Sequence, residues 1–167
     1  MRVLAIDPGP RTSGVVLLDT GPPRRVTYAE PDAENDALLT KLIHVFGPVE
    51  AVVVEAVAHY GMPVGRDVFG TVFWSGRFCQ QTKIYHPGTA VVMMDRRRVK
   101  MCLCNSAQAK DANIRQALID KFQPIGGGKI PQIGTKKQPG PLYGVKSHCW
   151  SALALAVTYL DRPGERG

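Results

Sequence analysis

The chain has 167 residues, of which 44% are hydrophobic and 21% are charged, as in an ordinary globular domain. No apolar run approaches the length of a membrane span, so we expect no transmembrane helix in this sequence. Lysine and arginine number 21 against 14 aspartates and glutamates, so the net charge is +7. This excess favours a polyanionic partner, although charge alone does not distinguish DNA, RNA and ribosome binders.

The predicted location is the cytoplasm. The chain opens with a strand-like apolar run, where a secretion signal would have a longer apolar segment. The four cysteines are Cys79, Cys102, Cys104 and Cys149, and none of them forms a CxxC pair. Their spacing does not indicate an extracellular disulfide framework, so we expect reduced, buried thiols.

The pattern of apolar residues predicts five strands and four helices. In chain order, these are strands at 2–7, 14–18 and 24–30, a helix at 32–47, a strand at 51–57, a helix at 66–82, a strand at 88–94, a helix at 107–122 and a helix from about 147 to 159. This order predicts one α/β domain over residues 1–167, with a central mixed five-stranded sheet flanked by helices. A long basic Gly/Pro-rich loop at about 124–145 is either functional or a sign of a missed element.

Three polar residues interrupt this apolar framework at element ends. Asp7 follows the first strand in RVLAIDPGP, Glu55 lies within the apolar run VVVEAV, and His148 stands at the start of the last helix. If the first and fourth strands are neighbours, the two carboxylates meet at their C-terminal ends, where α/β sheets bind ligands. Two carboxylates and an imidazole suit a divalent metal ion, Mg²⁺ or Mn²⁺.

Each of the three residues also has a structural explanation. Asp7 before Pro-Gly could cap a turn, which by itself is as good an interpretation as metal binding. Glu55 could pair with a buried arginine, and His148 alone is more simply a helix-start residue. The metal-site hypothesis therefore rests on all three occurring together.

Basic residues concentrate in the second half of the chain. They are Arg96, Arg97, Arg98, Lys100, Lys110, Lys136 and Lys137. A one-sided basic surface would contact nucleic-acid phosphates without reading sequence, whereas each residue taken singly could be an ordinary solvated charge.

The ordered motifs resemble those of the RuvC family of Holliday-junction resolvases, in the RNase H-like (retroviral-integrase) superfamily. LAIDPGPRTSGV and VVVEAV resemble the first two catalytic segments, VKMCLCNSAQAKDANIRQAL the basic segment with its following helix, and SHCWSALALA the closing helix. The resemblance implies catalytic roles for Asp7 and Glu55 and DNA contacts by Lys100 and Lys110. The loop region is most similar to the phage-encoded branch, which implies the cytoplasm of a bacterial or phage-infected cell.

The closing helix departs from the family pattern at one position. The family usually has D/H-x-x-D-A-L-A; here His148 takes the first position and Ser151 replaces the second acid. A serine is a poor metal ligand, so this site would lose a contact or complete it with water. Asp111 and Asp161 are possible substitutes, although their helical positions argue against reaching the centre.

The resemblance implies a structure-selective endodeoxyribonuclease that resolves branched DNA, the four-way junction, by paired symmetric cuts. In the hypothesis, Asp7 bridges two metal ions, Glu55 and His148 hold one each, and Ser151 orients a water, so that all four residues are catalytic. Tyr60 could stack on an unpaired base.

The alternative functions are a YqgF-like RNA-processing nuclease and a non-catalytic junction-binding protein. A two-domain sugar-kinase-like ATPase is a poor interpretation, because the chain is too short for two such domains.

Paired cuts on a nearly two-fold symmetric junction favour a homodimer with two active sites. Within the helix predicted at 66–82, the apolar side chains Val68, Phe69, Val72 and Phe73 could form its interface. Packing of the same side chains into the core is an equally good interpretation.

Overall fold

A computed structural model describes residues 1–58, 61 and 63–161 of the chain. Its strands are β1 Arg2–Asp7, β2 Thr12–Asp19, β3 Arg25–Glu34, β4 Ala51–Ala56 and β5 Ala90–Asp95. Its helices are α1 Asn35–His44, α2 Arg66–Tyr85, α3 Arg96–Cys104, α4 Asp111–Asp120 and α5 Cys149–Asp161. Tyr60, the predicted base-stacking residue, lies outside the described residues.

The strands form one mixed sheet in the order β3-β2-β1-β4-β5. Strand β2 is antiparallel to both β1 and β3, whereas β4 is parallel to both β1 and β5. The predicted five-stranded mixed sheet is therefore confirmed, with β1 and β4 as neighbours. Because these two strands are parallel, their carboxyl ends lie at the same edge of the sheet.

Both faces of the sheet are covered, which explains why the central strands are continuously apolar. Val3 and Ala5 point into a core shared with α3, α4 and α5, while Leu4 and Ile6 point into a core shared with α1 and α2. Helix α5 packs directly over β1 and β2, and its residues from Ala152 to Tyr159 are all buried. The start of α5 is thereby held above the end of β1.

Several predicted boundaries were wrong. The helix predicted from residue 32 begins at Asn35, because residues 32–34 extend β3 and Ala33 and Glu34 pair with β2. The helix predicted at 107–122 spans only Asp111–Asp120. Tertiary pairing with a neighbouring strand overrides local helical spacing in the first case.

Helix α3 was missed because its arginine-rich sequence has little apolar periodicity. The helix begins after Asp95, whose side chain accepts a hydrogen bond of 2.9 Å from the backbone N–H of Arg98. It ends at Cys104, and the following Asn105 has a positive φ of 51°. Three predicted DNA-contacting arginines therefore lie on the first turn of a helix that follows β5.

The segment at 124–145 contains no helix or strand apart from one isolated bridge between Gly134 and Pro139. It is fastened to the edge of the sheet by a hydrogen bond of 2.8 Å from the N–H of Val26 to the carbonyl of Pro141. Leu142 and Val145 are buried in the core. Across the described part of the chain, no helix combines the length and apolarity needed to span a bilayer.

Candidate active site

Asp7 and Glu55 lie side by side at the carboxyl ends of β1 and β4. In the register of the parallel strands, Ile6 pairs with Val54. Asp7 and Glu55, the next residue of each strand, therefore lie at the same edge of the sheet. Their side chains are only 16% and 18% exposed, respectively. His148 immediately precedes α5 and its Nδ1 lies 3.3 Å from Oδ2 of Asp7. The structure thus brings the three predicted site residues to one place.

A buried network shapes the turn that follows Asp7. The hydroxyl of Ser13 donates a hydrogen bond of 2.6 Å to Oδ1 of Asn35, and Nδ2 of Asn35 donates one of 3.0 Å to the carbonyl of Gly9. The N–H of Gly9 donates in turn to Ser13 Oγ at 3.4 Å. These bonds join the turn, β2 and the start of α1, and they fix where β1 delivers Asp7.

Gly14 allows α5 to approach β2 closely. It is paired with Asp7 in the β1–β2 register and lies beneath the start of α5. A Cβ atom at this position would come within 2.6 Å of the Cβ of His148 and 2.7 Å of its backbone carbonyl. Since such distances are far below van der Waals contact, only glycine at this position permits the observed contact between His148 and Asp7.

We therefore expect Gly14→Ala to displace His148, reduce any activity of the site and lower the free energy of unfolding by about 1–3 kcal/mol through overpacking. Urea unfolding and an activity assay would measure the two effects. Gly88→Ala is the matched control, because a Cβ there has no heavy atom within 4 Å. Equal stability of the two variants would contradict the packing argument.

The carboxylate pair is electrostatically strained. The pKa of Glu55 is raised from 4.5 to about 8, first because burial removes the carboxylate from water and then because of the adjacent Asp7, while Arg96 acts in the opposite direction. Two neighbouring carboxylates with low exposure are costly to charge together. Such a pair favours a bound cation.

Arg96 supplies part of the positive charge. Its Nη1 lies 3.8 Å from Oε2 of Glu55 and donates a hydrogen bond of 3.2 Å to Oγ of Ser151. Its Nη2 forms an ion pair of 2.6 Å with Oδ1 of Asp111. Sequence reasoning placed Arg96 among the phosphate contacts, whereas its guanidinium group turns into the carboxylate cluster. Asp111 therefore contacts Arg96 and is connected to the carboxylate pair indirectly, through this arginine.

The donor set fits a hard divalent cation in its chemistry, with carboxylate oxygens and one imidazole nitrogen. Asp7, Glu55 and Arg96 line a cleft of about 270 Å³ together with Thr71. Within residues 1–58, 61 and 63–161, however, no three His, Cys, Asp or Glu side chains form a ready-made metal cage.

The remaining predicted DNA-contacting residues form two separate groups. Arg97 and Lys100 line a cleft of about 430 Å³ beside the site, together with Arg96. Arg98 is half-buried, and Lys110 is exposed as the residue that caps the start of α4. The exposed Lys136 and Lys137 lie between Gly134 and Pro139, in the segment beside β3 at the opposite edge of the sheet from β5.

Helix α2 presents an apolar face to solvent. Phe69, Val72 and Phe73 are 66%, 51% and 59% exposed, whereas Val68 is half-buried. The interpretation of these three side chains as core residues is therefore wrong. The core contact of this helix comes instead from Ser75, Phe78 and Thr82.

Two solved structures are similar to the chain over nearly its whole length. T. thermophilus RuvC in complex with a Holliday junction substrate matches with a TM-score of 0.68 and 22% identity, over 98% of this chain and 94% of that chain. The chain has the RNase H-like fold of RuvC. The Thermus thermophilus RuvC structure matches with a TM-score of 0.65 and 22% identity, over 98% and 96% of the two chains. No protein-family model and no curated protein matches the chain.

Sequence reasoning missed two residues that shape this site and did not anticipate the position of a third. Gly14 and the buried Asn35 had no distinguishing local signal, since their importance arises from contacts with distant segments. Arg96 was noticed only as part of a basic run. Its position directly after Asp95 gave no sign that its side chain turns toward Glu55.

Proposed function

We propose that this protein is a metal-dependent endodeoxyribonuclease that resolves four-way DNA junctions by paired symmetric cuts. The observation that carries the proposal is the pair of part-buried carboxylates, Asp7 and Glu55, at the ends of two parallel strands with His148 beside Asp7. The fold supports it, since one similar RuvC structure contains a Holliday junction substrate. The net charge of +7 is complementary to DNA.

Asp7, Glu55 and His148 would hold the divalent cofactor, Mg²⁺ or Mn²⁺. The hypothesis drawn from sequence expects two such ions in each active site. A divalent ion held there would supply Lewis acidity for the attacking water and positive charge for the departing 3′ oxygen. In the hydrolysis, a bond forms between the water oxygen and phosphorus, the bond from phosphorus to the 3′ oxygen breaks, and the water proton ends on that oxygen. Asp7 contacts His148 and fixes its ring, while Arg96 orients Glu55.

Arg97, Lys100 and Lys110 would hold the DNA backbone next to this site. Arg97 and Lys100 line the basic cleft that adjoins the carboxylate cluster through Arg96, and Lys110 is exposed at the start of α4. Lys136 and Lys137 would contact a different arm of the junction, because they lie beside the other edge of the sheet. The affinity for DNA should therefore fall as the salt concentration rises.

We propose that Tyr60 stacks on a base at the crossover of the junction.

The direct test is cleavage of a synthetic immobile four-way junction by the purified protein in Mg²⁺, Mn²⁺ or EDTA, beside a linear duplex of the same sequence. We expect symmetric nicks in opposite strands of the junction, only with metal. Tight junction binding without cleavage in either metal would instead support the non-catalytic junction-binding alternative. Failure to bind or cut the junction, with cleavage of structured RNA, would support the RNA-processing alternative.

We further propose that the active form is a homodimer joined through α2, because Phe69, Val72 and Phe73 leave an apolar face uncovered. Phe69→Glu combined with Phe73→Glu should convert a dimer to a monomer and abolish paired cuts, since like charges would face each other across a two-fold axis. Light scattering measures the mass directly. Ile125→Glu, at an exposed position outside α2, is the control. A dimeric double variant would exclude this interface.

A further inference from the structure

We infer that Arg96 takes the place of one of the two metal ions, so that each active site binds a single divalent cation. This inference rests on the proposed function and specifies the composition of the same site. It assigns to Arg96 a fixed positive charge between Glu55 and Ser151, in addition to its place at the start of the basic helix α3. The cation that Asp7, Glu55 and His148 would hold is then the only one required.

The first support is the position of the guanidinium group. It contacts Glu55, Ser151 and Asp111 at 3.8, 3.2 and 2.6 Å, so three groups from β4, α5 and α4 converge on it. Its side chain is 31% exposed, which leaves it accessible from the cleft but shielded on the protein side. A guanidinium is always protonated in proteins, so Arg96 supplies a permanent positive charge. A metal ion at the same place would supply positive charge only while it is bound.

The second support is the chemistry of Ser151. Ser151 presents a neutral hydroxyl to the site, beside the guanidinium group. That hydroxyl accepts a hydrogen bond from Arg96 and provides no charge that would attract a second cation. An aspartate at the same place would compete with Glu55 and Asp111 for Arg96, or bind metal. The neutral serine therefore accepts a hydrogen bond from the arginine without adding a negative charge to the site.

The third support is the balance of charge around the site. Asp7 and Glu55 are the carboxylates in the cleft, and Asp111 is occupied by the ion pair of 2.6 Å with Arg96. One divalent ion with Arg96 already compensates the charges of Asp7, Glu55 and Asp111. A second divalent ion beside Ser151 would have to bind against the nearby guanidinium, which Coulomb repulsion disfavours at low exposure.

The experiment is a titration of the wild-type protein with Mn²⁺ at pH 8 without DNA, in which electron paramagnetic resonance measures the free ion. We expect one bound ion per protomer in the wild type. Arg96→Gln combined with Ser151→Asp should raise the count of bound ions to two, because the double variant removes the guanidinium and adds an acidic ligand. Arg97→Gln, which removes a neighbouring exposed arginine, should leave the count at one.

Two ions, or none, bound to the wild-type protein would overturn the inference, as would a folded double variant that still binds one. Circular dichroism checks the fold of each variant. If the double variant does not fold, the wild-type count alone decides. Because the titration needs no DNA, it is separate from the junction-cleavage test: absence of cleavage with either metal would refute the function, whereas cleavage by a protein that binds two ions would refute this inference alone.

Discussion

Replacing Asp7 with asparagine is expected to lower cleavage of a four-way junction roughly 10³-fold or more, while binding of the junction persists. Asp7 lies between Glu55 and His148, and loss of its negative charge removes the central ligand for a cation. The amide is nearly the same size as the carboxylate, so the turn after β1 should keep its shape. Binding should be unchanged or tighter, because a negative charge near the DNA phosphates is lost.

Rates of cleavage under single-turnover conditions, together with gel-shift binding in EDTA, measure the two effects separately. Asp120→Asn is the matched control. This aspartate lies on α4 at an exposed position, where its side chain accepts a hydrogen bond from Gln116. Normal cleavage by Asp7→Asn would refute the proposed active site. Loss of both binding and cleavage would indicate a folding defect, which thermal unfolding would reveal.

The second large effect concerns the stability of the metal-free protein. Because the pKa of Glu55 is raised to about 8, the folded protein holds a proton that the unfolded chain releases near pH 4.5. The free energy of unfolding should therefore fall as the pH rises between about 4.5 and 8, and level off above that range. Glu55→Gln removes this cost, so the variant should be more stable than the wild type by about 1–3 kcal/mol at pH 8, with cleavage lost.

Urea unfolding in EDTA at several values of pH between 4.5 and 8 measures this difference. Glu34→Gln, at an exposed position at the end of β3, should show no such gain. Added Mn²⁺ should stabilise the wild type more than the Gln variant, because it compensates a charge that the variant lacks. If Glu55→Gln is instead less stable at pH 8, the ion pair with Arg96 outweighs the repulsion from Asp7.

The positions of the acidic site residues could be predicted from the sequence better than the positions of the basic residues. Asp7 and Glu55 interrupt apolar strands, and a charged residue in such a place is conspicuous because burial is costly. The basic residues have no such signature, since exposed charges are common on any surface. Accordingly, the structure brings the carboxylates together, but it separates Lys136 and Lys137 from α3 and turns Arg96 inward.

From the sequence alone, the five strands and most of the flanking helices could be predicted, because apolar periodicity is a local property. The meeting of Asp7 with Glu55 was predicted only on the condition that the first and fourth strands are neighbours, and the parallel pairing of β1 with β4 meets that condition. Helix α3 and the start of α1 could not be predicted, since a cap at Asp95 and strand pairing of residues 32–34 decided them. Only the tertiary structure revealed that Gly14 admits His148 to the site and that Arg96 bridges Glu55, Ser151 and Asp111. These contacts join residues far apart in the chain, and no local pattern encodes such distances.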